Sequence, residues 1–140
     1  KKRYDELKLQ VDDLTRSYDE LTGIVSKLEE EMKNSFISTF AEINKNFGTV
    51  FAELFGGGTA ELSLSDPENV LTSGIEIKAA PPGKIINNMS LLSGGEQAFV
   101  AIALFFAILK VNPTPFCILD EIEAALDEVN VARVAQYIKS

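Results

Sequence analysis

Two adjacent carboxylates, Asp120 and Glu121, close the short apolar run Phe116-Cys117-Ile118-Leu119. A run without polar alternation is expected as a strand buried on both faces, as in the middle of a parallel sheet. Ligands bind beyond the carboxyl ends of such strands. Carboxylates there are costly to desolvate unless they serve something. Asp120 is suited to hold Mg²⁺ directly or through water, and Glu121 to polarise a water beside it. A second group comes earlier. Ser93-Gly94-Gly95-Glu96 leads into the apolar run Ala98–Leu109. Ser93 suits a helix N-cap, and Glu96 stands three residues on, at the capping-box position. The two glycines allow close approach to the backbone, and the unpaired N–H groups of a helix N-terminus suit phosphate. Asp127 precedes a third segment, in which Val129, Val131, Val134, Ala135 and Ile138 are expected to line one buried helix face. Each group also has a plain structural explanation: a strand leaving into a charged turn, a helix cap, and another helix cap.

The elements that position these residues follow from periodicity. Leu7, Val11, Leu14, Tyr18, Leu21, Val25 and Leu28 alternate in steps of four and three, the a/d seam of a heptad repeat. The stripe is narrow and suits one partner helix. An amphipathic helix on its own domain is the other reading of the same spacing. Beyond Met32 the stripe becomes aromatic, through Phe36, Phe40, Phe47 and Phe51, where the helix enters a globular region. The phenylalanines fit a core, with a docking surface as the alternative. Gly56-Gly57-Gly58 stops the helix, since glycine readily takes the φ values such turns need. Ala60–Ser65 and Ile75–Lys78 alternate with period two, with turns at Asp66-Pro67 and Ser73-Gly74. They are expected as an antiparallel pair, closed by Pro81-Pro82-Gly83.

Composition removes several classes of function. The chain has no histidine, which excludes histidine bases, histidine metal sites and Ser-His-Asp triads. Cys117 is the single cysteine, so no internal disulfide forms and a reducing compartment is expected. The net charge of -8 argues against a basic nucleic-acid module. The first residues are charged, unlike a secretory signal. The longest apolar run has 12 residues, against the roughly 20 of a bilayer span, so no membrane partner is expected. No Gly-x-x-x-x-Gly-Lys-Ser/Thr phosphate loop occurs: Gly83-Lys84 is followed by Ile85 and lacks the earlier glycine.

Taken in order, Ser-Gly-Gly-Glu, a long apolar helix, an apolar strand, Asp-Glu and Ala-Leu-Asp resemble the signature motif, Walker B and D-loop of ABC-type ATPases. Phe55-Gly56-Gly57-Gly58, Gly74-Ile75-Glu76-Ile77, Pro81-Pro82-Gly83-Lys84, Leu92-Ser93-Gly94-Gly95-Glu96 and Leu119-Asp120-Glu121-Ile122-Glu123-Ala124-Ala125-Leu126-Asp127 resemble the C-terminal head segment of SMC (structural maintenance of chromosomes) proteins. The resemblance covers essentially the whole chain and has a prokaryotic style.

The resemblance implies an α/β fold. The C-terminal lobe of an ABC-type ATPase head, with a mainly parallel core strand flanked by helices and a small antiparallel pair, would occupy residues 34–140. A coiled-coil arm would occupy residues 1–33. It implies ATP and Mg²⁺ as cofactors. Ser93, Gly94, Gly95 and Glu96 would form the signature that contacts ATP held by the opposite head. Asp120 would assist Mg²⁺, Glu121 would be the catalytic residue, and Asp127 would reach across the dimer interface. The implied partners are an N-terminal lobe with the Walker A loop, a second copy of the head, a kleisin subunit, and DNA through the complete complex. The implied setting is cytoplasmic and chromosome-associated, with head engagement serving chromosome organisation and segregation. The chain would lack ATPase activity alone and stop short of the family's switch histidine. A coiled-coil DNA-repair ABC ATPase half-head and a non-catalytic kleisin-docking fragment are the alternatives.

Overall fold

The computed structural model describes residues 2–84 and 89–139. It forms two compact units, Lys1–Phe36 and Ile37–Ser140. Helix α1 (Lys2–Phe55) supplies the first unit and opens the second. In the first unit every seam residue from Leu7 to Leu28 is more than half exposed. A single helix has nothing to bury a heptad seam against, so the seam needs a second helix.

In the second unit the last turns of α1 enter a core. Phe47, Val50 and Phe51 are fully buried, and Leu54 nearly so. The phenylalanines at 47 and 51 are therefore core residues, while Phe40 packs partly buried against them. Gly57 N–H donates to Ala52 O at 2.8 Å, which closes α1 with a Schellman-type turn. Gly56, Gly57 and Gly58 all have positive φ. At Gly58 an added Cβ would also run into the Ala80 carbonyl and the Phe51 ring, so space as well as φ demands glycine.

Strands β1 (Thr59–Leu64) and β2 (Ile75–Ala80) pair antiparallel, from Thr59 opposite Ala80 to Leu64 opposite Ile75. Leu62 and Ala79 turn into the core. On its unpaired side, Leu62 N–H donates to Asn44 Oδ1 of α1 at 2.7 Å. The connecting loop is ordered by Asp66, whose carboxylate accepts from the Glu68 and Asn69 N–H groups and from Asn69 Nδ2.

A single 3₁₀ turn, Met89–Leu91, precedes α2 (Gly94–Val111), and α3 (Glu128–Lys139) follows a long loop. Phe55 stacks on Phe51 at 4.2 Å and meets Phe99 of α2 at 4.5 Å between ring centroids. Lys110 of α2 lies 3.8 Å from Glu53 of α1 and over the Tyr137 ring of α3. The Tyr137 hydroxyl, more than Glu53, holds the Lys110 ammonium above its usual range.

Two expectations need correction, and one apolar helix is only partly covered. The run Phe116–Leu119 forms no strand; Phe116 and Ile118 are 78% and 83% exposed. A parallel strand draws its hydrogen bonds from neighbouring strands, and the described residues offer only β1 and β2, which pair with each other. The core of this unit is consequently helices and an antiparallel pair. Next, α2 is apolar all round, yet only the stripe Phe99, Val100, Ala103 and Ala107 is buried. By length and hydropathy α2 would suffice to cross a membrane, but that stripe makes it a core helix with one face uncovered, including Phe105 and Ile108. Finally, α3 buries Val134 with Tyr137 packed beside it, whereas Val129 and Ile138 are exposed. The face centred on Val134 meets the core; the flanking positions point away from it.

The Phe51–Phe55–Phe99 contact carries a stability prediction. Phe99→Ala is expected to cost about 3–5 kcal/mol. Chemical denaturation of the protein with and without the substitution checks it; a loss under about 1 kcal/mol would show that α2 docks by other contacts.

Candidate functional site

The site begins at the N-terminus of α2. Ser93 has extended backbone angles and forms a complete capping box with Glu96. Glu96 N–H donates to Ser93 Oγ at 3.3 Å, while Ser93 N–H and Oγ–H both donate to Glu96 Oε2 at 3.0 Å. The spacing alone predicts this arrangement, because the box is closed within three residues. The other carboxylate oxygen of Glu96 accepts from Lys84 Nζ at 2.6 Å. The Lys84 contact, followed by the hydrogen bond from the Ser93 backbone, holds the Glu96 carboxyl below its ordinary range. Gln97 Nε2 donates to the carbonyls of Met89 and Leu92, clamping the preceding turn onto the helix.

Asp127 is the N-cap of α3, as its spacing predicts: Asn130 N–H donates to Asp127 Oδ1 at 2.8 Å. An added Cβ on Gly95 would sit 3.1 Å from the Ala125 carbonyl, so the loop before α3 lies against the α2 N-terminus. One open cavity of about 450 Å³ results, lined by Ser93, Glu96, Asp127, Lys84, Arg133, Asn130, Phe55 and Pro82. Arg133 crosses from α3 and donates to Phe55 O at the end of α1, at 3.2 Å. That places a cation at a helix C-terminus whose own last turn has none.

The fold thus brings Ser93, Glu96 and Asp127 together. Asp120 and Glu121 lie outside this cavity, exposed on the loop before α3. Glu121 is the one described non-glycine residue with positive φ, at 50°. That region is sparsely populated by side-chain-bearing residues and is found at functional loops. No cluster of three acidic side chains able to hold a metal occurs among the described residues. Asp120 nevertheless fits a partial role, because Mg²⁺ takes one or two carboxylates and completes its shell with phosphate oxygens and water. Lys84, Gln97, Asn130 and Arg133 escaped sequence reasoning as site residues. Only Lys84 carried a signal, as the residue after the Pro81-Pro82-Gly83 turn.

The class of protein follows from comparison with known sequences: the family described as "RecF/RecN/SMC N terminal domain" matches residues 3–140, and the chain belongs to this SMC-containing family. The chromosome partition protein Smc of Bacillus subtilis (strain 168) is 56% identical over 98% of the chain. The chain spans only 12% of that relative's length. Among solved structures, the Smc head domain with an extended coiled coil from Pyrococcus furiosus, bound to the C-terminal domain of ScpA, superposes with a TM-score of 0.82 at 43% identity, covering 99% of this chain and 35% of that one. A chain from work on ATP-driven dimerization and DNA-stimulated activation of SMC ATPases superposes with a TM-score of 0.71 at 47% identity, covering 76% and 65% respectively.

Two predictions arise from the geometry. An added Cβ on Gly94 meets nothing within 4 Å among the described residues, whereas one on Gly95 presses on the Ala125 carbonyl. Gly94→Ala is therefore expected to be neutral or stabilising by about 0.5–1 kcal/mol. Gly95→Ala is expected to destabilise, and thermal unfolding of both variants orders them. The second concerns acid. Because the folded carboxyl of Glu96 has a depressed pKa, its contribution is present above the ordinary glutamate range and is lost as pH falls through the folded value. Glu96→Gln should shrink the acid-induced loss of stability; an unchanged acid limb in a pH series of denaturation curves would contradict it.

Proposed function

We propose that this chain is the C-terminal half of an SMC ATPase head. The carrying observation is the cavity that gathers Ser93 and Glu96 at the α2 N-terminus with Asp127 at the α3 cap. The order of the motifs supports the C-terminal assignment, as does the lack of a Gly-x-x-x-x-Gly-Lys-Ser/Thr loop in the sequence. The ATP-cradling loop then comes from the N-terminal lobe. The same lobe covers the apolar surface left open here: the outer face of α2 with Phe105 and Ile108, and the run Phe116–Leu119. A neighbouring strand would supply the ladder partners that Phe116–Leu119 lacks.

In this reading the backbone N–H groups and dipole of α2 bind the γ-phosphate of ATP held by a second head, and the Ser93 hydroxyl turns from Glu96 Oε2 to donate to it. Gly94 leaves that approach unobstructed, while Gly95 makes room for the Ala125 carbonyl beside it. Asp120 would hold Mg²⁺ together with the phosphates of the chain's own nucleotide; the ion supplies charge neutralisation at the transferring phosphoryl group. Glu121 orients and polarises the attacking water, and Asp127 contacts the opposite head. Catalysis then requires two heads, so hydrolysis is tied to engagement and release. Engagement gates a ring closed by a kleisin subunit around DNA, in the service of chromosome segregation. The exposed heptad seam of α1 pairs with the outgoing arm helix. The setting is the cytoplasm, on the chromosome.

The test combines this chain with a separately produced N-terminal lobe. The chain alone should show no ATP turnover. The mixture should turn over ATP, and Glu121→Gln should lower the rate by about 10²-fold or more while trapping an ATP-dependent dimer. Lobes that associate yet never bind ATP would remove the catalytic assignments.

A further inference from the structure

The turn Pro81-Pro82-Gly83-Lys84 is not used by the function just described. Lys84 N–H donates to Pro81 O at 3.1 Å, and Gly83 has φ 79°. With proline second and a positive-φ glycine third, this is a type II turn dictated by its residues. Among the described residues nothing lies within 4 Å of where a Cβ on Gly83 would be, so it is conformation that calls for glycine there. The turn delivers Lys84 Nζ to Glu96 Oε1 at 2.6 Å, with the lysine side chain 47% and the glutamate 20% exposed.

Glu96 stands beside the serine that would meet a phosphate, so its charge opposes an incoming anion. Both of its oxygens are engaged: Oε2 by Ser93, Oε1 by Lys84. We propose that Lys84 is a positioning residue for the signature motif: it neutralises Glu96 and holds the carboxylate that orients Ser93, so that a polyphosphate can approach the α2 N-terminus. The inference rests on the signature role of Ser93 proposed above. It names a cation that acts through Glu96 and not on the nucleotide itself.

The test uses the complete protein that carries this segment, with Glu121→Gln to stop turnover. The ATP concentration for half-maximal dimer formation is read by sedimentation, and ATP affinity of the undimerised head by calorimetry. Lys84→Met should raise the half-maximal concentration about threefold to fivefold, a modest effect because the pair is partly exposed. ATP affinity of the single head should stay unchanged, which a general structural defect would not allow. Lys84→Arg should restore engagement. In a Glu96→Gln background, Lys84→Met should have no further effect, since the charge it compensates is gone. Additive losses would mean that Lys84 touches phosphate directly and would overturn the proposal, as would unchanged engagement in Lys84→Met. Should the parent Glu121→Gln protein form no ATP-dependent dimer, the underlying signature reading fails and this inference with it; a normal parent dimer with an indifferent Lys84→Met sinks this inference alone.

Discussion

The contact of Phe55 with Phe51 and Phe99 is what the rest of the C-terminal unit hangs on. It joins the last turn of α1 to the first turns of α2. Aromatic pairs at these separations add specific geometry to the burial of large apolar areas. Because Phe99 lies only five residues after Gly94, docking that ring also sets where the α2 N-terminus points. The same last turns of α1 carry the antiparallel pair, through Asn44 on Leu62 and the close passage of Gly48 by Ala60. One end of one helix therefore locates both the sheet and the helix whose start forms the site.

Around that anchor, Glu96, Asp127 and Arg133 each have a defined partner. Glu96 serves two residues at once, the cap serine and Lys84. Asp127 is occupied by the first turn of α3. Arg133 completes the C-terminal end of α1. These bonds are short in sequence or meet at helix ends, where unpaired backbone groups need partners in any case. The cavity they surround combines a helix N-terminus with Lys84 and Arg133, whose charges are matched there by Glu96 and Asp127.

The open surface is as informative as the closed core. A helix apolar on every side and a loop with Phe116 and Ile118 in solvent are not a finished hydrophobic arrangement. Nor is a heptad seam exposed along its whole length. The proposal that the chain is one lobe of a head with one strand of a coiled coil makes each of them half of a contact and accounts for all of them together. The strained conformation of Glu121 lies on that same unfinished loop.

Local chemistry was legible directly. The capping box of Ser93 and Glu96, the Asp127 cap, the glycine stop after Phe55, the antiparallel pair and the Pro-Pro-Gly turn each close within a few residues or follow strict period two. The sequence needed no partner to specify them. Long-range packing decided the rest. Which face of α3 is buried depended on where α2 and α1 already stood, so Val134 went in and Val129 and Ile138 stayed out. Lys84 reaches Glu96 across 12 residues and Arg133 reaches Phe55 across 78, juxtapositions no spacing rule encodes. The run Phe116–Leu119 carries the composition of a core strand. Composition specifies what a strand would bury, but only neighbouring strands can pair its backbone, and among the described residues no strand is left to do so.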